Sequence, residues 1–452
     1  MPNLFLGSAF FALLFEYDYN ETEAPKMKKS FVLSAVILSF ILGGCSNSAK
    51  SSDITVQTET AQTSSETSPA SSQENSAIVL SIPEINLQKK TLPENEAIDF
   101  VRNMKAGWNL GNTFDAVSDG GYNEATEMKI ESSWCGVATT KEMIDEIKKA
   151  GFNTVRIPVS WHNHLTDGNF TISQKWLDRV KEVVDYAISN DMYAIINIHH
   201  DIDKAYYYPS SECLENSKRY ISSIWTQLCQ KFGDYDNRLI FESVNEPRLA
   251  GTNYEWWFDK NSAQCIDAAN CINELNQLFV DTVRASGGNN ASRYLMCPGY
   301  SASASSALMD EFKLPKDSVQ NRLIVSVHAY TPYNFALQGL NESGSKSDFK
   351  ASNSSDTGEI TSFMDSLYQK FISNGIPVVI GEFGARDKNS NTQARIDFSA
   401  YYVACARANG ITCCWWDNNA FSGSGENFGI FDRKSLSWKY PEIKDAIIKY
   451  CQ

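Results

Sequence analysis

The sequence predicts a (β/α)8 barrel, an α/β fold in a single catalytic domain. Two observations carry the prediction. Short apolar runs alternate with amphipathic stretches from Lys105 to Asp417, and the runs end one after another in polar, aromatic or acidic side chains. In a closed barrel of parallel strands, functional groups gather where the strands end. A doubly wound open sheet is the structural rival, but no glycine-rich phosphate loop follows the first run.

The runs are GWNLGNTFD at 107–115, TVRIPVSW at 154–161, AIINIHHD at 194–201, LIFESVNEP at 239–247, YLMCPGY at 294–300, LIVSVHAY at 323–330, VVIGEFGA at 378–385 and ITCCWWDNN at 411–419. β-Branched and aromatic residues dominate them, and several are apolar almost throughout, as strands buried on both faces must be. Between them, KEMIDEIKKA at 141–150, QKWLDRVKEVVDYAIS at 174–189 and TSFMDSLYQKFIS at 361–373 repeat apolar residues at three and four positions, the period of a half-buried helix. The stretch 337–359 is rich in Ser, Gly, Asn and Asp and reads as a long mobile rim loop after the sixth strand.

The 452 residues are 42% hydrophobic and 21% charged, which supports a large core. A net charge of -14 disfavours nucleic acid or anionic lipid as an electrostatic partner and suits a neutral ligand. At the N-terminus, Lys26, Lys28 and Lys29 precede an apolar run from Phe31 to Leu42, then Gly43, Gly44 and Cys45, the layout of an export signal. Leu42-Gly43-Gly44-Cys45 resembles a bacterial lipoprotein signal, which implies cleavage before Cys45, lipid on that residue, and an extracellular protein tethered to the membrane. The alternative is an ordinary secretory signal with an incidental cysteine. Residues 1–45 are therefore read as signal, with Met27 as the candidate true start. Residues 46–77, with hardly a large apolar side chain, form a disordered tether, 78–94 a lead-in packed on the barrel, and 95–452 the barrel domain. Besides Cys45 there are ten cysteines. Cys297, Cys413 and Cys414 lie inside strand runs and read as small buried hydrophobes, whereas Cys265 and Cys271 are candidates for a local bridge. No Cys-x-x-Cys pair or zinc pattern occurs, so neither metal nor organic cofactor is expected.

Breaking a glycosidic bond needs an acid for the leaving oxygen and a second carboxylate at the anomeric carbon. Glu246 in Asn-Glu-Pro and Glu382 in Gly-Glu-Phe offer one each, on the fourth and seventh strands, whose ends face one another across a barrel mouth. If both point inward, a separation near 5 Å is the retaining geometry. Taken together, GWNLGNTFDA, GFNTVRIPVSW, NIHHD, FESVNEPR, VHAYTPYNF, IGEFGA, CCWWDNN and GENFGIFDR, in that order, resemble glycoside hydrolase family 5, most of all its fourth subfamily of bacterial endoglucanases. The resemblance implies Glu246 as acid/base and Glu382 as nucleophile. It implies Arg156 holding the nucleophile's carboxylate, His199 and His328 in support, Asn245 donating to the sugar 2-hydroxyl, and Tyr330 hydrogen-bonded to Glu382. Trp416 becomes the stacking platform, with Trp415 the alternative one residue away; His200 lines the wall, and Asn112 and Asp115 contact a more distant sugar. Trp161, His162 and His164 read equally as groove or as core, and Trp256, Trp257 and Phe258 as platform or rim cover.

The implied function is a retaining endo-β-1,4-glucanase acting on cellulose or related β-glucans, as a monomer. A xyloglucanase, lichenase, xylanase or mannanase would use the same carboxylates, because groove shape selects the polymer. From another class, a surface glycan-binding protein would keep the barrel and lose a carboxylate, which this chain has not. A metal-dependent isomerase would need clustered acidic ligands, and only Asp201 stands beside the histidine pair.

Overall fold

All eight apolar runs become strands: β1 Ala106–Leu110, β2 Thr154–Ile157, β3 Tyr193–Asn197, β4 Leu239–Glu242, β5 Leu295–Ser303, β6 Leu323–His328, β7 Val378–Phe383 and β8 Thr412–Asp417. Each pairs in parallel with the next, and β8 returns to β1, so the barrel closes. The computed structural model describes residues 79–423 and 425–452. The signal at 1–45, its Cys45 and the tether at 46–77 lie outside the described residues. Around the strands run α1 Glu96–Asn103, α2 Lys141–Lys149, α3 Gln174–Ser189, α4 Leu214–Lys231, α5 Ala263–Ala285, α6 Ala304–Leu308, α7 Tyr333–Ala336, α8 Ser354–Lys370, α9 Thr392–Ala408 and α10 Pro441–Tyr450. None of these described helices is long and apolar enough to cross a membrane.

Alternation along each strand divides the core in two. Trp108, Val155, Ile157, Ala194, Ile196, Phe241, Val325, Ile380 and Trp415 face the helices and are fully buried there. The intervening side chains fill the barrel. At its lower end, Ile195, Ile240, Met296, Ile324, Val379 and Cys414 form a dry layer continued by Ala97 and Val101 of α1 and by Met104 just past it. Asn95 caps that helix, its Oδ1 accepting from Ala97 N at 2.8 Å. Above the dry layer the interior turns polar with Asn109, Arg156, Asn197, Glu242 and Ser326, all fully buried. This change of chemistry along the barrel axis places the site at the C-terminal ends of the strands.

Ahead of the barrel, Leu80, Ile82, Ile85, Leu87 and Leu92 pack on the core, and Ser81 exchanges two hydrogen bonds with the Gln393 side chain. Two expectations are corrected. Cys265 and Cys271 are free and buried on α5, not bridged; six residues of helix separate them by about 9 Å along the axis, beyond the reach of a disulfide. The long loop after β6 is shorter than predicted, because α8 begins already at Ser354, where Asn353 Oδ1 accepts from Ser355 N at 3.1 Å. The polar first turn hid that helix start, since its Ser and Asp residues carry no apolar period. What remains of the loop is pinned rather than free: Lys388 Nζ, buried, donates to Asn334 O at 2.7 Å, Ser345 Oγ at 3.0 Å and Lys346 O at 2.9 Å. Cys297, Cys413 and Cys414 are buried as read, and burial pushes the Cys414 thiol up to about 12.

Candidate active site

Arg156 on β2 organises the barrel mouth. Its side chain is fully buried, so its N–H groups must find partners. Nη1 donates to Glu382 Oε1 at 2.7 Å and Asn109 Oδ1 at 3.0 Å, Nη2 to Asn245 Oδ1 at 2.7 Å, and Nε to Glu242 Oε2 at 2.9 Å. Burial works against the guanidinium charge, and Glu242 and Glu382 more than offset it, holding the group above its ordinary pKa. β7 can come this close because residue 381 is glycine: a Cβ there would stand 3.2 Å from His328 Nε2 and 3.4 Å from Arg156 Nε.

Glu382 is nearly buried and held on both oxygens, the second by the Tyr330 hydroxyl, which donates to Oε2 at 2.9 Å. Burial, with Glu382 beside it, raises the Tyr330 phenol well above its usual pKa, so it remains a donor. Across the mouth, Glu246 Oε1 lies 2.8 Å from His328 Nδ1, and Arg248 Nη1 stands 3.9 Å from Oε2 while donating to the Glu246 carbonyl at 3.0 Å. Burial pushes the Glu246 carboxyl up, but the His328 hydrogen bond and charge, then Arg248, leave it below its ordinary value. His328 shifts the other way: burial disfavours its charge, and Glu382 and the Glu246 contact raise it. The two shifts describe one proton shared across the 2.8 Å contact. Donor atoms of Glu246, His328 and Glu382 all lie within 4.8 Å of one another, so the carboxylates do converge.

Asn245 accepts from Arg156 through Oδ1, and arginine can only donate, so the Asn245 NH2 is turned away from it and left for a ligand. Trp416 pairs in register with Asn109, which places it inside the barrel, where it covers Gly111: a Cβ on that glycine would meet Trp416 Cζ2 at 2.8 Å. Trp415, its neighbour, faces the outer core edge-on to Phe383 and donates Nε1 to Phe428 O at 3.1 Å, so of the two tryptophans Trp416 is the one that faces the barrel interior. The His199 ring is parallel to Trp416 with centroids 5.9 Å apart, and burial drives its pKa well below the ordinary imidazole value, so it is neutral. His200, half-buried, meets His199 edge-on at 4.4 Å and Trp134 at 5.8 Å.

Asp115 departs from the expected sugar contact. It is fully buried, and its oxygens accept from the backbone of Asn112 at 3.0 Å and Thr113 at 2.6 Å, so it shapes the loop instead. Asn112 itself is half-buried with φ 56°, a left-handed position that Asn tolerates. Asp115, His199 and His200 bring three donor atoms within 4.8 Å, as do Glu246, His328 and Glu382, but in both groups carboxylate oxygens are engaged by N–H or O–H donors, the chemistry of a hydrogen-bonded cluster. Trp161 and His164 belong to the core: Trp161 donates Nε1 to Asn197 O at 3.0 Å, and His164 stacks on Trp176 at 3.6 Å. His162 is tied to Asp201 at 2.9 Å. Trp256 and Trp257 are exposed on the rim, the first under the Arg248 guanidinium at 4.0 Å, the second edge-on to Tyr333. Phe258 instead packs against Tyr300.

Sequence reasoning missed Asn109, Asn197, Glu242, Arg248 and Trp134. Polar residues inside otherwise apolar strands were the available signal for the first three: Asn109 interrupts GWNL, Asn197 follows AII, and Glu242 ends LIFE.

Residues 118–422 match the family Cellulase (glycosyl hydrolase family 5). A glycoside hydrolase 5 lichenase from Caldicellulosiruptor sp. F32, solved with cellotetraose, is 60% identical with a TM-score of 0.81 over 83% of this chain and 100% of that one. A GH5-4 broad specificity endoglucanase from Ruminococcus champanellensis with bound cellotriose is 43% identical with a TM-score of 0.71 over 79% of this chain and 100% of that one. Endoglucanase A of Clostridium longisporum is 42% identical over 372 residues, 82% of this chain and 69% of that protein. With the barrel closed, two glutamates converging at its mouth and these likenesses spanning most of its length, the chain belongs to the cellulase family, glycosyl hydrolase family 5.

Proposed function

We propose that this chain is a retaining endo-β-1,4-glucanase in which Glu382 attacks the anomeric carbon and Glu246 protonates the leaving oxygen. The observation that carries the reading is the convergence of the two carboxylates, with donor oxygens within 4.8 Å. Inverting pairs stand about 6.5–9.5 Å apart to admit a water, and retaining pairs about 5–5.5 Å. Arg156 and Tyr330 hold Glu382 aimed, one on each oxygen, leaving it no rotamer freedom to lose. As the leaving oxygen approaches, the proton shared with His328 passes onto Glu246 and from there to the departing sugar; Glu246 then takes a proton from the water that opens the glycosyl-enzyme. Trp416 supplies an apolar floor for the sugar ring, and the Asn245 NH2 is free for its 2-hydroxyl. The relatives' endoglucanase names and their cellotetraose and cellotriose ligands support a β-1,4-glucan substrate.

A second reading has its own support: the relative at 60% identity is a lichenase, which favours mixed-linkage β-glucan as the preferred polymer. A product survey on carboxymethyl cellulose, mixed-linkage glucan, xyloglucan, xylan and mannan, with NMR of the first-formed anomer, tests both. The retained β-anomer with internal cleavage of glucans is expected. The inverted anomer, or activity confined to xylan or mannan, refutes the proposal.

We infer further that the protein is exported and anchored through lipid on Cys45, with residues 46–77 as the tether and a monomeric barrel at its end. The charged, apolar and small-residue order of residues 26–45 supports this.

A further inference from the structure

Glu242 is a carboxylate that the chemistry above does not use. It ends β4, fully buried, four residues before Glu246 and on the layer beneath the mouth. Every contact of its oxygens is with a donor: Oε2 accepts from Arg156 Nε at 2.9 Å and Asn197 Nδ2 at 3.0 Å and lies 2.8 Å from Arg156 Nη2, and Oε1 accepts from Ser326 Oγ at 2.5 Å. All of these contacts are donated to the carboxylate, two of them from a guanidinium. Arg156 therefore serves two carboxylates with one charge, Glu242 through Nε and Nη2 and Glu382 through Nη1.

We propose that Glu242 is a positioning residue that takes up the charge of Arg156, so that Glu382 keeps an uncompensated negative charge and the proton shared by His328 and Glu246 stays at the mouth. The proposal deepens the catalytic reading above and rests on it. A lone arginine at 2.7 Å would neutralise Glu382, drawing electron density from the attacking oxygen and loosening the proton of the His328–Glu246 pair. With Glu242 in place, Arg156, Glu242 and Glu382 sum to one negative charge, which holds the proton of the His328–Glu246 pair in place. The charged and titratable groups facing Glu242 are Arg156 on β2, His199 past β3, Cys297 on β5, His328 on β6, Glu382 on β7 and Cys414 on β8, with Glu246 beyond its own strand. The two thiols are buried and held neutral, and His199 is neutral, so Arg156, Glu382 and the His328–Glu246 pair are what the charge of Glu242 acts on.

Glu242→Gln removes the charge and preserves the contacts, because the amide oxygen can accept from Arg156 and Asn197 while its NH2 donates to a reversed Ser326 hydroxyl. Its kcat/KM profile against pH on a soluble glucan should keep its bell shape with both limbs displaced to lower pH, on the order of one unit. The sign follows from losing a negative charge, which eases proton release at the mouth, from the His328–Glu246 pair included. Glu242→Asp keeps the charge but draws it back by one methylene, so its limbs should remain near the wild type while kcat falls roughly tenfold or more as Arg156 is misplaced. Unmoved limbs in Glu242→Gln overturn the proposal, and so does wild-type kcat in Glu242→Asp, which also serves if the glutamine variant does not fold. Glu246→Ala on an activated aryl glycoside separates the two readings: loss of the alkaline limb supports Glu246 as the acid, and its persistence would refute the catalytic reading rather than the role of Glu242.

Discussion

At the scale of single residues, the two glutamates are distinguished by what holds them. Glu382 is held on both oxygens by donors that fix its orientation, whereas Glu246 faces a histidine with which it can trade a proton. Glu382→Gln keeps size and packing but cannot form the glycosyl-enzyme, so a protein with native circular dichroism and almost no turnover is expected; near-normal kcat would reassign the nucleophile. Glu246→Ala should slow natural glucans by about 10²–10⁴-fold while sparing the first step on activated aryl glycosides. Added azide, which needs no deprotonation, should restore turnover and yield the β-glycosyl azide, read by NMR. An α-azide from Glu246→Ala would exchange the two roles. The placement of these groups was legible, since Arg156, His199, Asn245, His328, Tyr330 and Trp416 lie in or just past the strands that the sequence reads. Asp115 was misjudged because a carboxylate after a strand looks the same whether it meets a sugar or, as here, two backbone N–H groups of its own loop.

At the scale of elements, the loops and helices behind the strands set what the site can tolerate. His164 stacks on Trp176 and donates Nδ1 to Glu127 at 3.2 Å, and burial lowers its pKa to about 3. The unfolded chain takes up that proton near pH 6.5 and the folded chain does not, so stability is full above about 6.5 and drains by up to ~1.4 kcal/mol per unit as pH falls toward about 3. His164→Asn keeps a donor toward Glu127 but no base; its melting temperature should start lower, for want of the stack, and fall less steeply over that window. An unchanged slope would assign the acid sensitivity elsewhere. Lys388 plays the corresponding part for the rim after β6. Lys388→Met leaves two carbonyls and a hydroxyl without their donor, costing about 1–3 kcal/mol, and faster hydrogen exchange across residues 334–347 is the expected result. Protection equal to wild type would show that other contacts hold this loop. Neither pin was visible in the sequence: a lysine and a histidine are read as surface or site residues until their surroundings are known.

At the scale of the whole molecule, the barrel and the proposed anchor make separate demands on the chain. If Cys45 carries lipid, the exported protein should partition with membranes, and Cys45→Ala should release or misprocess it without altering activity per folded barrel. Intact-mass analysis finding an unlipidated N-terminus elsewhere would refute the anchor. Fold class and strand order were determined by the sequence alone, as was the placing of Glu246 and Glu382 at strand ends, because alternation and strand-end chemistry are local and recur in each of the eight units. Helix Gln174–Ser189 matched residue for residue, since its apolar period runs unbroken from end to end. What only the tertiary structure decided is which polar groups share a charge or a proton. Glu242 and Glu382 lie far apart in the chain, yet one guanidinium holds them both, and Asn109 enters the same cluster from β1. Such contacts cross the barrel axis, where closure and register choose the neighbours, and no spacing along the chain encodes them.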